Sequence, residues 1–320
     1  MKKISIIIPL YNLEGLIGKC IASALDQDLS PEEYEVIVVD DGSTDGSLAA
    51  AQRAAHGHAN VQVHAKPNEG VSMARNYGTE RAAGRYVMYV DADDYLSPDV
   101  LGQLTQIMDR ERLDMLCFDM AGVDEHGGDL PLWSDGLFAR GGVVVQSGRD
   151  FLRRDCFLPM ACAYVYDRAM LERHGLGMLP MRHEDEEFTP RAIYFAKRIR
   201  YVPIRVYNYL QHNGSFMGSY DPKRRSDFVR AMKSLTDFAA RIEEGDPEGA
   251  RLMRLHVGKT MFFACKQTIL GRQGNAREML RDARQRGVMP LAFRKYNFRH
   301  FLINRAPALF VLYYRLHKRR

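Results

Sequence analysis

Residues 35–43, EVIVVDDGS, decide the fold, because a β-branched run from Val36 to Val39 ends in two carboxylates, a glycine and a serine. A short, nearly continuous apolar run of this kind is a strand buried on both faces. Working outward, residues 4–10 (ISIIIPL) and 86–91 (YVMYVD) repeat the pattern, and residues 61–65 (VQVHA) form a weaker fourth strand. Between them the spacing predicts helices over 14–27, 44–56 and 70–83, the last closed by Gly84 as a C-terminal cap. The order βαβαβαβ predicts an α/β fold with a mostly parallel sheet flanked by helices. Ligands of such sheets bind beyond the carboxyl ends of the strands.

The polar motifs follow those ends. Pro9-Leu10-Tyr11-Asn12 comes after the first strand, Asp40-Asp41-Gly42-Ser43 after the second and Asp91-Ala92-Asp93-Asp94 after the last. Ser97-Pro98 reads as the cap and first turn of a further helix. From 113 to 222 shorter segments (LDMLCFDM, GGVVVQ, CAYVYD, IRYVPIRVYNYL) predict mixed strands that complete the sheet. From 224 to 286 the pattern is helical, broken at Gly245-Asp246-Pro247 and Gly274-Asn275. This predicts a catalytic domain over 1–222, with halves 1–112 and 113–222, and a helical C-terminal extension over 223–320.

With 320 residues, 46% hydrophobic and 27% charged, the chain can bury a large core, which excludes disorder and small disulfide scaffolds. Its five cysteines form no CxxC pair or His-rich cluster, so they read as reduced thiols of a cytoplasmic protein. No stretch approaches a membrane span. After Asp282 there are ten Lys and Arg and no acid, so of the net +5 the preceding residues carry −5. An acidic body excludes a nucleic-acid binder. The basic end, rich in aromatics over 291–320 and interrupted by Pro307, predicts peripheral contact with anionic lipid at the inner face of the plasma membrane, or else a packed tail with a solvated basic face.

Two chemistries compete at each motif. Asp91 and Asp93 sit on alternate positions and suit a divalent cation, Mg²⁺ or Mn²⁺, or form a solvated acidic turn. Asp41 can accept hydrogen bonds from a nucleobase or ribose, while Ser43 or Thr44 can simply cap the next helix. Gly70 opens a helix in which Arg75 lies about one and a half turns on, within reach of a diphosphate or on the surface.

Four segments in order, SIIIPLYN (5–12), VIVVDDGSTDGS (36–47), NEGVSMARNYG (68–78) and YVMYVDADDYLSPD (86–99), resemble the family 2 glycosyltransferases of the GT-A fold. The resemblance is close over about the first 100 residues and looser to about 220. It implies that Asp41 holds the base of a nucleotide, commonly uracil, that Pro9 and Tyr11 line the same pocket, and that Arg75 approaches the diphosphate. Asp91 and Asp93 match the outer positions of the DxD motif, with Asp93 the better metal ligand and Asp94 a structural neighbour. In His183-Glu184-Asp185-Glu186-Glu187-Phe188 the resemblance implies that Asp185 is the catalytic base, with Glu184 second, although acids also favour a helix N-terminus on electrostatic grounds alone.

His212 can meet the diphosphate or metal or stand exposed, and Trp133 can stack on a sugar or be buried. The expected activity is single, inverting transfer from a nucleotide sugar, a UDP-sugar first, to a saccharide or lipid-linked saccharide in surface polysaccharide assembly. The membrane spans and Gln-x-x-Arg-Trp motif of processive synthases are lacking. A sugar nucleotidyltransferase would carry a Gly-rich loop where Pro9-Leu10-Tyr11-Asn12 stands. A non-catalytic partner in an assembly complex is the other alternative, against which Asp41, Asp93 and Asp185 argue.

Overall fold

A computed structural model describes residues 2–132, 134–211, 222–271 and 275–317. The chain forms two compact units, one of residues 1–180 and 191–215, the other of 181–190 and 216–320. The short segment carrying Glu184 and Asp185 thus counts with the helical residues.

The first unit is built on a mixed sheet. Its strands are β1 (Ile4–Leu10), β2 (Tyr34–Asp40), β3 (Val61–Ala65), β4 (Tyr86–Tyr89), β5 (Tyr95–Leu96), β6 (Met115–Val123), β7 (Asp129–Leu130), β8 (Tyr164–Asp167) and β9 (Ile199–Leu210). The order is β3-β2-β1-β4-β8-β6-β9-β5, with β7 on β6. β1 to β4 pair in parallel, in the order β3-β2-β1-β4. β8 enters antiparallel between β4 and β6, and β6 runs parallel to β9. All residues of β1, β2 and β4 are buried, as the continuous apolar runs require, whereas edge strand β3 is half-buried. Because β1 leads to β2 on one side and β4 lies on the other, the order reverses beside β1, where an open α/β sheet leaves a crevice at its carboxyl ends.

Helices α1 (Ile17–Leu25), α2 (Ser47–Ala55) and α3 (Val71–Arg81) connect these strands. α3 lies so close to β1 that a Cβ on Gly78 would stand 2.5 Å from Ile7 Cγ2. Gly84 is not the cap of α3, since Ala82 takes that place. It is required by close approach, because a Cβ there would meet Ser5 N at 2.5 Å. At that spot Ser5 Oγ donates to Glu35 Oε1 at 2.5 Å, and Ala83 N and Gly84 N donate to Glu35 Oε1 and Ser5 Oγ.

Helix α4 (Leu101–Glu111) starts three residues after Pro98, later than the Ser97-Pro98 reading. The hydroxyl of Ser97 accepts instead from Asn208 Nδ2. The free N–H groups of α4 are met from far away in sequence: Gln27 Oε1 accepts from Val100 and Leu101, and Asp28 Oδ1 from Gly102. Nor does GGVVVQ form a strand. Gly142 has a φ of +76°, only Gln146 bridges Ile199, and Val143 and Val144 are exposed. Helices α5 (Gly148–Arg154) and α6 (Arg168–Arg173) complete this unit, and α7 (Glu184–Phe195) passes from the second unit into the first.

The second unit contains α8 (Pro222–Ile242), α9 (Pro247–Gly271), α10 (Ala276–Gln285), α11 (Phe298–Arg305) and α12 (Pro307–Leu316). α8 packs on α9, and α10 packs on both. Asp246 and Asn275 accept from backbone N–H groups at the starts of α9 and α10. Pro307 separates α11 from α12 by occupying the first turn of the latter, where its missing N–H costs nothing. No helix among the described residues is long and apolar enough to cross a membrane. The five cysteines are buried and none is in a disulfide.

Candidate active site

At the carboxyl end of β2, Asp41 is buried, and its carboxylate accepts from three donors. Lys66 Nζ lies 2.8 Å and Glu69 N 3.0 Å from Oδ1, and Gly70 N lies 2.7 Å from Oδ2. Asp41 thereby ties the segment after β3 to the end of β2. Gly70, with φ +93°, makes the left-handed turn that brings its N–H to the carboxylate and opens α3. Burial alone would lower the Lys66 pKa, but hydrogen bonds to Asp41 and Glu69 outweigh it and raise it. Lys66 was missed in the sequence. The available signal was a lysine just before Asn68-Glu69-Gly70, at the end of a strand.

Pro9, buried in β1, pairs in register with Val39, and the next turn leaves Tyr11 exposed. That turn is laced to the one after β2. Asn12 N donates to Ser43 Oγ, Asn12 Oδ1 accepts from Thr44 N at 2.8 Å, and Leu13 N donates to Ser47 Oγ at 2.7 Å. Ser43 and Thr44 therefore hold the neighbouring loop rather than cap α2, whose cap position is Gly46.

Beside it, the turn after β4 concentrates negative charge. Arg75, on the buried face of α3, sets Nη2 2.5 Å from Asp91 Oδ1. Asp94 is buried, accepting from Tyr207 Oη at 2.6 Å and from Leu210 N at 2.8 Å. Tyr207 Oη in turn accepts from Asp91 N. Burial pushes the Asp94 carboxyl well above the usual range, and the charges of Asp93 and Asp91 push it further. Asp94 thus fastens the turn to β9, while Asp91 and Asp93 are half-buried. Nothing in the sequence separates Tyr207 from Tyr201 and Tyr209, the other tyrosines of β9.

These residues fit a divalent ion bound together with a diphosphate. Among the described residues no group of three or more His, Cys, Asp or Glu side chains is placed to hold an ion alone. Mg²⁺, however, is commonly held by one or two carboxylates plus substrate phosphates. The carboxylates of Asp91 and Asp93, on alternate positions after β4, would supply that pair.

In the second unit, the first turn of α7 carries Glu184, Asp185, Glu186 and Glu187, where the helix dipole favours acids. Phe188 is fully buried and Glu187 accepts from Ser234 Oγ of α8 at 2.8 Å, which anchor the turn. Asp185 is half-buried, with Oδ1 accepting from Glu186 N at 2.8 Å, and Glu184 is buried. Burial lowers the neighbouring His183 to about 4, keeping it neutral. His212 and Trp133 lie outside the described residues.

Glu186 was not singled out in the sequence. Its Oε2 is buried without a hydrogen bond, and burial raises its pKa to about 7. A folded-state pKa above the unfolded value of 4.5 contributes stability that is full below 4.5 and is lost as the pH rises through about 7. Glu186→Gln should therefore stabilise the protein at about pH 8, by on the order of 2 kcal/mol, and much less at about pH 5. Thermal melts at both pH values check this, and equal shifts would contradict it.

Residues 5–170 match the family model "Glycosyl transferase family 2". The chain is 32% identical over 224 residues to the uncharacterized glycosyltransferase YibD of Escherichia coli, across 67% of this chain and 62% of that protein. It is 28% identical over 259 residues to the poly(ribitol-phosphate) beta-glucosyltransferase of Bacillus spizizenii, across 79% of this chain and 39% of that one. It thus spans less than two thirds of the length of these curated relatives. Among solved structures, Staphylococcus aureus TarS 1-349 in complex with UDP superimposes with a TM-score of 0.74 at 22% identity, covering 99% of this chain and 90% of that one. The mixed sheet with its flanking helices is therefore a GT-A fold, and with more than half its length matched by the family model the chain belongs to glycosyl transferase family 2.

Proposed function

We propose that the protein transfers a single sugar, with inversion, from a nucleotide sugar to a hydroxyl of a saccharide or lipid-linked saccharide during surface polysaccharide assembly. The observation that carries this reading is the set of polar side chains at the carboxyl ends of the two parallel strands that flank β1: Asp41 after β2, Asp91 and Asp93 after β4, and Arg75 on the helix between β3 and β4. Tyr11 and Pro9 flank the base, and Asp41, held by Lys66 and Gly70, presents the edge of its pocket. A UDP-sugar is the first donor to try. TarS has been crystallised with UDP and with UDP-GlcNAc.

Asp93, the better match to the metal-holding position of the DxD motif, is the principal candidate to hold a divalent cation, Mn²⁺ or Mg²⁺, with Asp91 beside it on Arg75. When bound, that ion would act as a Lewis acid on the diphosphate leaving group. A Pyrobaculum calidifontis mannosyltransferase with a TM-score of 0.51 was crystallised with GDP-Man and Mn²⁺. Asp185 is the base, taking the proton of the acceptor hydroxyl as its oxygen attacks the anomeric carbon. Glu184 is the second candidate. One displacement inverts the anomeric centre. The basic terminal segment meets an anionic membrane from the cytoplasmic side.

Incubation with UDP-sugars and a short acceptor tests the reading. The product should be longer by one sugar, with the anomeric configuration opposite to the donor. A long homopolymer would contradict single transfer. Absence of turnover over a broad donor and acceptor panel would favour a non-catalytic assembly partner. A sugar nucleotidyltransferase remains the weaker alternative because Pro9-Leu10-Tyr11-Asn12 leaves no Gly-rich phosphate loop after β1.

A further inference from the structure

Helix α12 is apolar on two faces. Phe310 and Tyr314 are buried, with ring centroids 5.5 and 6.3 Å from that of Phe262 in α9. Leu309, Leu312 and Leu316, spaced i, i+3, i+7, form a second stripe that is 55%, 46% and 67% exposed. α11 continues it. Phe298 and Phe301 are exposed one turn apart, and the Phe298 ring lies 6.2 Å from Tyr313 of α12. A surface helix ordinarily turns polar residues outward, so an uncovered stripe of five large apolar side chains on two adjacent helices marks an interaction surface.

The same face of α11 ends in Arg305, seven residues after Phe298. There a cavity of 440 Å³ is lined by Arg284, Leu291, Tyr296, Asn304 and Arg305. Its floor is fixed by the buried Asn304, whose carboxamide accepts from Leu291 N and donates to Leu291 O and Tyr296 Oη. Arg284 Nη2 donates to the Asn304 carbonyl at 3.0 Å. Neither Arg284 nor Arg305 meets a carboxylate among the described residues. The nearest acids in sequence are engaged elsewhere, Asp282 with Arg286 and Glu278 with Arg225, and no acid follows Asp282.

We propose that this cavity is a phosphate site for the headgroup of an anionic phospholipid, with the α11 and α12 stripe seated in the acyl boundary beside it. Two guanidinium groups and a tyrosine hydroxyl offer the directional donors a phosphate takes, and the adjoining apolar stripe supplies burial that a soluble phosphate would not need. A second copy of the chain is disfavoured as occupant. It would bring the same uncompensated cations against one another. The inference rests on the membrane contact proposed above and names its ligand.

The test is co-sedimentation of the full chain with vesicles of phosphatidylcholine alone or mixed with phosphatidylglycerol, with UDP binding and circular dichroism measured on the same samples. Wild type should bind only the mixed vesicles. Arg284→Gln with Arg305→Gln should weaken that binding by well over the roughly thirtyfold that losing any two surface cations causes, and Leu312→Ser with Leu316→Ser should weaken it as well. A charge-matched control outside the cavity, Lys295→Gln with Arg315→Gln, should lose less. Equal losses in the two charge pairs, or none, would overturn the headgroup site while leaving the membrane reading standing. No vesicle binding by wild type would overturn both, and UDP binding reports the donor site independently.

Discussion

Asp185→Asn should abolish sugar transfer, by about 10³-fold or more, while leaving nucleotide binding as it is in the wild type. The amide keeps the volume of the carboxylate but cannot take a proton. The acceptor hydroxyl would then have to attack without general-base help, a contribution of about 10² to 10⁴. Asp185 lies in the first turn of α7, anchored by Phe188 and by Glu187 on Ser234, so the substitution alters no buried contact that these anchors make. Asp93→Ala should behave differently, losing donor binding in the presence of Mn²⁺ along with turnover. Steady-state kinetics paired with nucleotide titration separates the two. Equal loss of donor binding in both variants would show that the base lies elsewhere, with Glu184 next to be tried.

Gly148→Ala should destabilise the first unit by about 3 kcal/mol, a large effect for one methyl group. Gly148 opens α5, whose cap Ser147 accepts from Asp150 N, and Gly148 N donates to Ala196 O at 2.8 Å. A Cβ built there would fall 1.6 Å from Ile193 O and 2.8 Å from Ala196 O, both backbone atoms that no rotamer change can move. Either α5 must shift away from the end of α7 or the hydrogen bond to Ala196 must break. Gly18→Ala in α1 is the control, because a Cβ there meets nothing within 4 Å. It should instead stabilise by about 0.5 to 1 kcal/mol through helix propensity. Denaturant melts of the two variants decide the matter, and shifts of the same sign would show that the close approach is relieved cheaply.

Much of the sheet was legible because β1, β2 and β4 are buried on both faces and therefore write themselves as unbroken β-branched runs. The boundaries of α4 were not legible. Its N-terminus is met by Gln27 and Asp28, more than 70 residues earlier, so no local cap marks the start. GGVVVQ misleads for a related reason: strand propensity without a neighbouring strand leaves valines in solvent. At the site, carboxylates that follow strands were readable by position alone. What they touch was not. That Arg75 would pair with Asp91, that Lys66 would hold Asp41, and that Tyr207 would bridge Asp91 and Asp94 are consequences of sheet order. The burial that brings Glu186 to about 7 depends on how α7 packs, which its four consecutive acids do not disclose.

Calorimetric titration with UDP, GDP and dTDP, with and without Mn²⁺, on wild type and Asp93→Ala tests, without knowledge of the acceptor, whether the strand-end carboxylates form a metal-assisted donor site. UDP binding should be strengthened by Mn²⁺ in the wild type and lose that dependence in Asp93→Ala. Absence of nucleotide binding under every condition, or Mn²⁺-dependent binding that survives in Asp93→Ala unchanged, would contradict it.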